Sequence, residues 1–379
     1  MRSVVVHAVL AALALVWAYE VWTDDSASDK DLGEVTVLQC DKNSIKRVQY
    51  RAPEKEVTVK PTRVDGETKI WIDSHSKPKK GKASRKSFVG NEEAENFLKQ
   101  MTPMHALRAL GTIGKKKKKA FELDKAKTYL DVECGRKKRS YRIGGTAYGS
   151  GDRYIQDKQG GKVYLVHADL LAALQSAEFR LKQRELHTFE ATEVHQLQVE
   201  AFGRKVTLLQ RNRRVPEKAT WVDASKPDKI NELYGNWLSR VGQLRAQDYL
   251  KAKAVPGSEL KKLTESVSPT PVLKLRYEEE DGDELGTLEM VRVDAETPSY
   301  YAKSEVTERW VTVPKSVAEQ VASDVRPVVG LEALAKPATK KAPAAPAPNP
   351  HAAPGSAGAP APGGPPAASP GGTPAPHAH

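Results

Sequence analysis

The chain has 379 residues, 60 basic and 48 acidic side chains for a formal net charge of +12, and 39% hydrophobic residues. That apolar content is adequate for a core, so a wholly disordered chain is excluded. The basic excess does not by itself make a nucleic-acid binder, because the Lys and Arg runs carry no interleaved aromatics.

From Val4 to Tyr19 the only polar side chain is His7, and Arg2 is the only basic residue ahead of the run. Extended to Trp22, the run spans roughly 28 Å as a helix, close to the roughly 30 Å hydrocarbon core of a bilayer. It closes as Leu15-Val16-Trp17-Ala18-Tyr19-Glu20-Val21-Trp22, with no small-x-small pair for a signal peptidase. Trp17, Tyr19 and Trp22 read as an interfacial aromatic belt, and Arg2 before the run with Asp24, Asp25, Asp29 and Asp31 after it puts the N-terminus inside. The expectation is an uncleaved signal anchor over residues 1–24, docking in the inner (cytoplasmic) membrane through residues 3–22. The protein would be single-pass, with its body in the periplasm or extracytoplasmic space. Export removes nucleic acid as a partner.

The body reads as two kinds of unit in alternation. Ile45 to Tyr50, Glu56 to Val59 and Lys69 to Asp73 form a trio of short strands ending in Trp71-Ile72-Asp73. The same trio recurs as Val194 to Val199, Lys205 to Leu208 and Thr220-Trp221-Val222-Asp223. A helical period follows each: Phe97, Met101, Met104, Leu107 and Leu110 in the first, Ile230, Leu233, Trp237, Val241 and Leu244 in the second. Both stretches end in Leu-Arg-Ala, at 107–109 and 244–246.

The second kind of unit runs through Leu130 to Cys134, Tyr141 to Ile143, Arg153 to Ile155 and Lys162 to Val166. It recurs as Val272 to Arg276, Glu289 to Val293, Tyr300 to Ala302 and Arg309 to Val313. Gly144-Gly145 and Asp281-Gly282-Asp283 read as hairpin turns, and Asp169 and Ser316 as N-caps of helices that close the units. The fold class expected is α+β: tandem-duplicated antiparallel β-sheet units each backed by a helix. The boundaries are a first repeat pair at 33–182 and a second at 183–330. Residues 331–379 are nearly all Ala, Pro and Gly past Lys336, which predicts a disordered tail, since such a segment cannot offset its backbone entropy by burial.

This pattern resembles a known family. An N-terminal anchor, a strand trio ending in Trp-x-Asp, a helix, and a hairpin sheet closing in Val163-Tyr164-Leu165-Val166 look like the bacterial domain of unknown function 4340, over roughly Val35 to Val321. The resemblance implies an envelope protein associated with gliding-type ABC transporter genes, and it brings no catalytic residues. The tail and the basic insertion after Asp73 fall outside the pattern.

Of the individual residues, Trp71 and Trp221 sit at alternating apolar positions and are expected to anchor sheet to helix. Asp73 and Asp223 end those strands as turn or cap residues. Lys77, Lys79, Lys80, Lys82, Arg85 and Lys86 form a basic loop, Lys115, Lys116, Lys117, Lys118 and Lys119 an unbroken run between units, and Arg136 to Arg139 a third patch. These clusters are the candidate surface for anionic lipid or envelope polymer, set against a plain solvated loop.

Catalytic signatures fail one by one. Gly111 to Lys116 has Ala109 where a phosphate loop needs glycine and Lys116 where it needs Ser or Thr. Gly149-Ser150-Gly151 lacks the spacing of a nucleophile elbow. His187 and His195 bracket Phe189 without metal-ligand spacing. No cofactor, metal or catalytic residue is therefore assigned, and the chain is expected not to be an enzyme. Cys40 and Cys134 are the only cysteines; an exported compartment permits their pairing, but the sequence does not give their proximity. The expected function is a membrane-anchored extracytoplasmic binding or scaffold protein, auxiliary to an ABC-type, gliding-associated transport complex and docked on its permease. The alternatives are an envelope enzyme acting on cell-wall polymer and an electrostatic tether to anionic envelope polymer.

Overall fold

A computed structural model describes residues 34–41, 44–64, 66–257 and 268–333. The expected anchor at 1–24 lies outside the described residues, as does the tail from residue 334 onward. Among the described residues no helix is long and apolar enough to cross a membrane.

The fold is α+β and mostly antiparallel sheet. In the first half β1 (Val35–Leu38) pairs with β6 (Met104–Ala106) as a small two-stranded sheet. The large sheet takes β2 (Ile45–Arg51), β3 (Lys55–Val64), β4 (Glu67–Ser76), β5 (Ser84–Val89), β7 (Arg108–Gly111), β8 (Thr128–Cys134), β9 (Lys137–Thr146), β10 (Arg153–Asp157) and β11 (Val163–Val166). Its nine strands run in the order β5-β4-β3-β2-β8-β9-β10-β11-β7. The strand trio and the hairpin unit are thus one sheet, joined where Val48 of β2 faces Val132 of β8.

The second half contains β12 (Gln196–Ala201), β13 (Arg204–Arg211), β14 (Thr220–Asp223), β15 (Thr270–Glu278), β16 (Glu284–Val293), β17 (Ser299–Ser304) and β18 (Val311–Thr312). Their order is β14-β13-β12-β15-β16-β17-β18. This is the order of the first sheet from β4 across to β11, without the flanking β5 and β7.

Alternation decides which face is covered. In β4 Ile70, Ile72 and Ser74 are buried while Trp71 and Asp73 look the other way. The covered face of the first sheet packs Val48, Val59, Ile72, Leu130 and Tyr141 against α1 (Glu92–Gln100) and α3 (Asp169–Gln175), through Phe97, Leu171 and Leu174. The short α4 (Ala177–Arg180) follows directly. In the second half Leu197, Leu208, Leu275 and Leu288 pack against α5 (Glu232–Val241) and α6 (Lys315–Val328).

Asn91 starts α1 by accepting the Ala94 N–H at 3.2 Å, and Glu92, Glu93 and Glu95 favour the positive end of its dipole. Asn231 does the same for α5, accepting from Leu233 at 3.1 Å.

Several local expectations are corrected. The helix expected through Phe97 to Leu110 stops at Met101, because Pro103 cannot continue it; Met104 enters β6 and Arg108 begins β7. Asp169 is the first residue of α3 behind Ala168, and Ser316 lies inside α6 behind Pro314, so neither caps. Cys40 lies in the loop after β1. Gly144 and Gly145 are not a turn. They lie in β9, where the backbone of the 121–123 segment crosses: a Cβ on Gly144 would sit 2.4 Å from the Phe121 carbonyl, and the Gly145 N–H donates to that oxygen at 2.8 Å. Gly144→Ala should therefore cost about 2 to 3 kcal/mol, since a main-chain carbonyl cannot rotate away as a side chain would. Denaturant unfolding checks this, and a change of a few tenths would contradict the crossing.

The two tryptophans also part company. In the first sheet Val59 pairs with Ile72, whereas in the second Leu208 pairs with Asp223. This one-residue difference in register flips the Trp-x-Asp strand. Trp221 packs against the second core, whereas Trp71 is turned to the face opposite Ile70 and Ile72.

Candidate functional site

The residues with the most unusual surroundings lie where the two halves meet. Chain 181–195 connects them. Gly90 bridges to Lys182, Glu185 to Arg245 and Tyr249 to Val311. On this seam the Arg309 guanidinium lies 3.8 Å from the centre of the Trp71 ring and donates to Ser87 Oγ at 3.3 Å. A planar cation on an indole face is the strongest geometry of its kind. Burial lowers the Arg309 pKa from its ordinary value, opposed by the charges of Asp73 and Glu308.

Lys69 reaches across from β4 to Glu308 Oε1 at 2.9 Å and donates to the Glu305 carbonyl at 2.7 Å. Lys86 on β5 is 3.0 Å from Asp248 and 3.4 Å from Glu178, and its hydrogen bond to Asp248 holds its pKa above the usual lysine value. Tyr249 donates to the Gln183 carbonyl at 3.0 Å and tilts against Phe88.

Glu305 is the organising carboxylate. One oxygen is 3.0 Å from His187 Nδ1, the other accepts the Thr287 N–H at 2.9 Å, and the side chain lies flat over Gly286, where a Cβ would come within 2.5 Å of its carboxyl carbon. Tyr277 and Phe189 hold the other sides of the imidazole, with ring centres 4.6 and 4.8 Å away. Burial drives the Tyr277 phenol far above its ordinary pKa.

Beside this cluster opens a cleft of 1310 Å³. Glu67, Glu92, Glu95 and Glu185 line it, and none of them has an ion pair among the described residues. The cations of the same wall are engaged: Lys69 as above, Arg180 with Glu93 at 3.3 Å, Lys182 on the Gln247 carbonyl, and Arg184 over the Phe179 ring. A smaller groove of 530 Å³ lies under Trp221, Phe189, Tyr277 and Leu238. Among the described residues no group of His, Cys, Asp and Glu is placed to hold a metal ion. The cleft offers hydrogen-bond acceptors and negative charge in a protein of net positive charge. That suits recognition of donors or cations, while Glu305 and Glu93 are already tied to partners.

The residues flagged in the sequence scatter. Trp71 and Lys86 are in the seam. Lys79 is 3.6 Å from Glu54, and Lys80 and Lys82 are exposed in the loop between β4 and β5. Arg85 and Lys86 belong to β5 rather than to that loop. Lys115 to Lys119 form α2 (Lys115–Ala120), a short helix rather than a loop. His187 is a hydrogen-bonded seam residue. Lys69, Glu305, Glu308 and Arg309 were not legible, because Lys69 and its partners lie more than 230 positions apart along the chain. No local motif links them.

Two antiparallel sheets of matching strand order, joined at a charged seam, define an α+β protein. Residues 116–264 match the family model described as Domain of unknown function (DUF4340). The match runs from α2 to the segment before β15, a narrower stretch than the sequence pattern suggested. No curated protein matches the chain, and no solved structure does.

Proposed function

We propose that this chain is a membrane-anchored extracytoplasmic binding or scaffold protein, an auxiliary subunit of an ABC-type, gliding-associated transport complex. The observation that carries the extracytoplasmic part is the Cys40–Cys134 disulfide, with Cα atoms 6.3 Å apart and a sequence separation of 94. Such a bond belongs to an oxidising compartment. It agrees with the apolar run at 3–22 as an export anchor. The shared strand order of the two sheets supports a tandem duplication as their origin, and a body with a carboxylate-lined cleft suits binding.

The test is a mild-detergent pull-down of the tagged full-length chain beside one lacking residues 1–22. Recovery of an ABC permease and its ATPase with the full-length chain alone is the expected outcome. No protein partner with either form would reject the auxiliary-subunit reading. The cleft also favours a second reading, an envelope enzyme on cell-wall polymer, because Glu67, Glu92, Glu95 and Glu185 line it without ion pairs among the described residues. That reading requires one carboxyl kept protonated in apolar surroundings beside an ionised one. Replacing Glu92 and Glu95 together by Gln should then abolish hydrolysis of purified cell-wall polymer, whereas a binding protein shows none to abolish.

A further inference from the structure

The smaller groove holds polar groups that nothing in the protein uses. It runs between α5 and the connecting chain 185–194, beside the end of β15. His187 Nδ1 faces the Glu305 carboxylate at 3.0 Å. A carboxylate only accepts, so Nδ1 carries the shared proton, and in the neutral imidazole Nε2 is a bare acceptor. That Nε2 is buried and has no partner among the described residues. Tyr277 lines the same groove at 6% exposure, and its hydroxyl likewise has no hydrogen-bond partner among them. Folded proteins keep few such unmet polar groups, and each calls for an explanation.

The groove is also kept open at a cost to the helix beside it. Gly235 is the fourth residue of α5 and lines the groove, and a Cβ there would meet nothing within 4 Å beyond its own helical turn. Glycine inside a helix is less stable than any ordinary residue, and here no crowding neighbour demands it. What it leaves is open volume. At 530 Å³ the groove has the size of a small-molecule site. Trp221, Phe189 and Tyr277 supply ring surface, the last two with centres 5.0 Å apart.

Charge selects the ligand. Glu185 and Glu190 stand on the exposed rim without ion pairs among the described residues. Arg245, the one Lys or Arg in the lining, is turned to the Gly242 and Leu244 carbonyls at 2.5 and 2.9 Å. An anion would therefore meet two carboxylates and no free cation. In the first half the tryptophan of the same motif, Trp71, already carries Arg309 on its face. Among the described residues no Lys or Arg lies over the ring of Trp221, Phe189 or Tyr277.

We propose that this groove binds a primary ammonium carried on a ring-sized apolar body, an arylalkylamine in its simplest form. The ammonium N–H groups answer His187 Nε2 and the Tyr277 oxygen, and the positive charge suits both the ring faces and the Glu185 and Glu190 carboxylates. The apolar ring takes the space beside Gly235. The groove is a different cavity from the acidic cleft, although Glu185 and Thr188 line both. It needs neither the anchor nor a transporter, so a failed pull-down leaves it standing.

The test is isothermal titration of the full-length chain with three probes: 2-phenylethylamine, the neutral 2-phenylethanol, and the trimethylammonium derivative of the amine, which keeps the charge without an N–H. The amine should bind roughly tenfold more tightly than either of the others. Nα-acetyl-lysine amide presents the same ammonium as a protein side chain would, and it should bind more weakly by a similar factor because it brings no ring. Tighter binding of the lysine derivative than of the amine would overturn the small-molecule assignment. Gly235→Leu fills the open volume, so it should abolish binding while raising the melting temperature. Tyr277→Phe should weaken the amine about tenfold and leave the melting temperature unchanged or higher, since the hydroxyl it removes is unpaired in the free protein. Equal affinity for amine and alcohol would overturn the proposal, as would no binding at millimolar amine. So would amine binding that survives both substitutions, which would place the amine in the acidic cleft instead.

Discussion

Replacing Cys40 or Cys134 by serine should lower the stability of the body by about 4 to 5 kcal/mol, the chain-entropy value for a cross-link closing a loop of this length. The loop spans 94 positions and contains β2 to β8, most of the first sheet. Without the bond, the segment from β1 to the start of β2 is held by the short β1–β6 pairing and by Leu38 in the core. A loss of that size lowers the melting temperature of a body this large by roughly 10 °C. Differential scanning calorimetry of the full chain with and without reductant checks it: wild type with reductant should fall to the level of Cys40→Ser, and Cys40→Ser should not respond. A reductant-insensitive wild type would mean that the bond contributes nothing, and it would remove the main support for an oxidising compartment.

Most of the secondary structure was legible because alternation and turn residues are local signals. The strand trios, the two hairpin units and the helices around Phe97 and Trp237 fall where period and punctuation place them. The failures have specific causes. Gly144-Gly145 reads as a turn by composition, but its glycines serve a backbone crossing from residues 121–123 that only the tertiary structure supplies. Trp71 and Trp221 share a motif and a spacing, and a single step of strand register sends one to the seam and the other to the core. β5 was hidden in a run of lysines, since an edge strand with exposed charges carries no apolar period. The seam was illegible for a different reason: Arg309 on Trp71, Lys69 at Glu308, and Glu305 at His187 are each made between segments far apart in the chain, and no pair has a spacing to recognise.

Trp237 is the residue for which the sequence and the structure agree most closely, and its removal should be the costliest core change in the second half. It lies four positions from Leu233 and from Val241 on the buried face of α5 and is 0% exposed. Its indole N–H donates to the Val321 carbonyl of α6 at 3.2 Å, so one side chain both fills the space between the two helices and fixes their register. Trp237→Ala should cost about 3 to 5 kcal/mol, from lost burial and the cavity left behind. Trp237→Phe should cost less, roughly 1 to 2 kcal/mol, since it keeps most of the volume and gives up the hydrogen bond. Denaturant midpoints for the two variants separate these contributions, and hydrogen exchange should rise in α5 and α6 first. The consequence reaches the seam, because α6 also packs on β15 and β17, and β17 leads into the turn carrying Glu305, Glu308 and Arg309. Loosening α6 should therefore weaken the Arg309–Trp71 stack, read as a shift in Trp fluorescence relative to Trp71→Phe. An alanine variant with both helices still protected and the midpoint unchanged would show that the second sheet, not the helix pair, positions that turn.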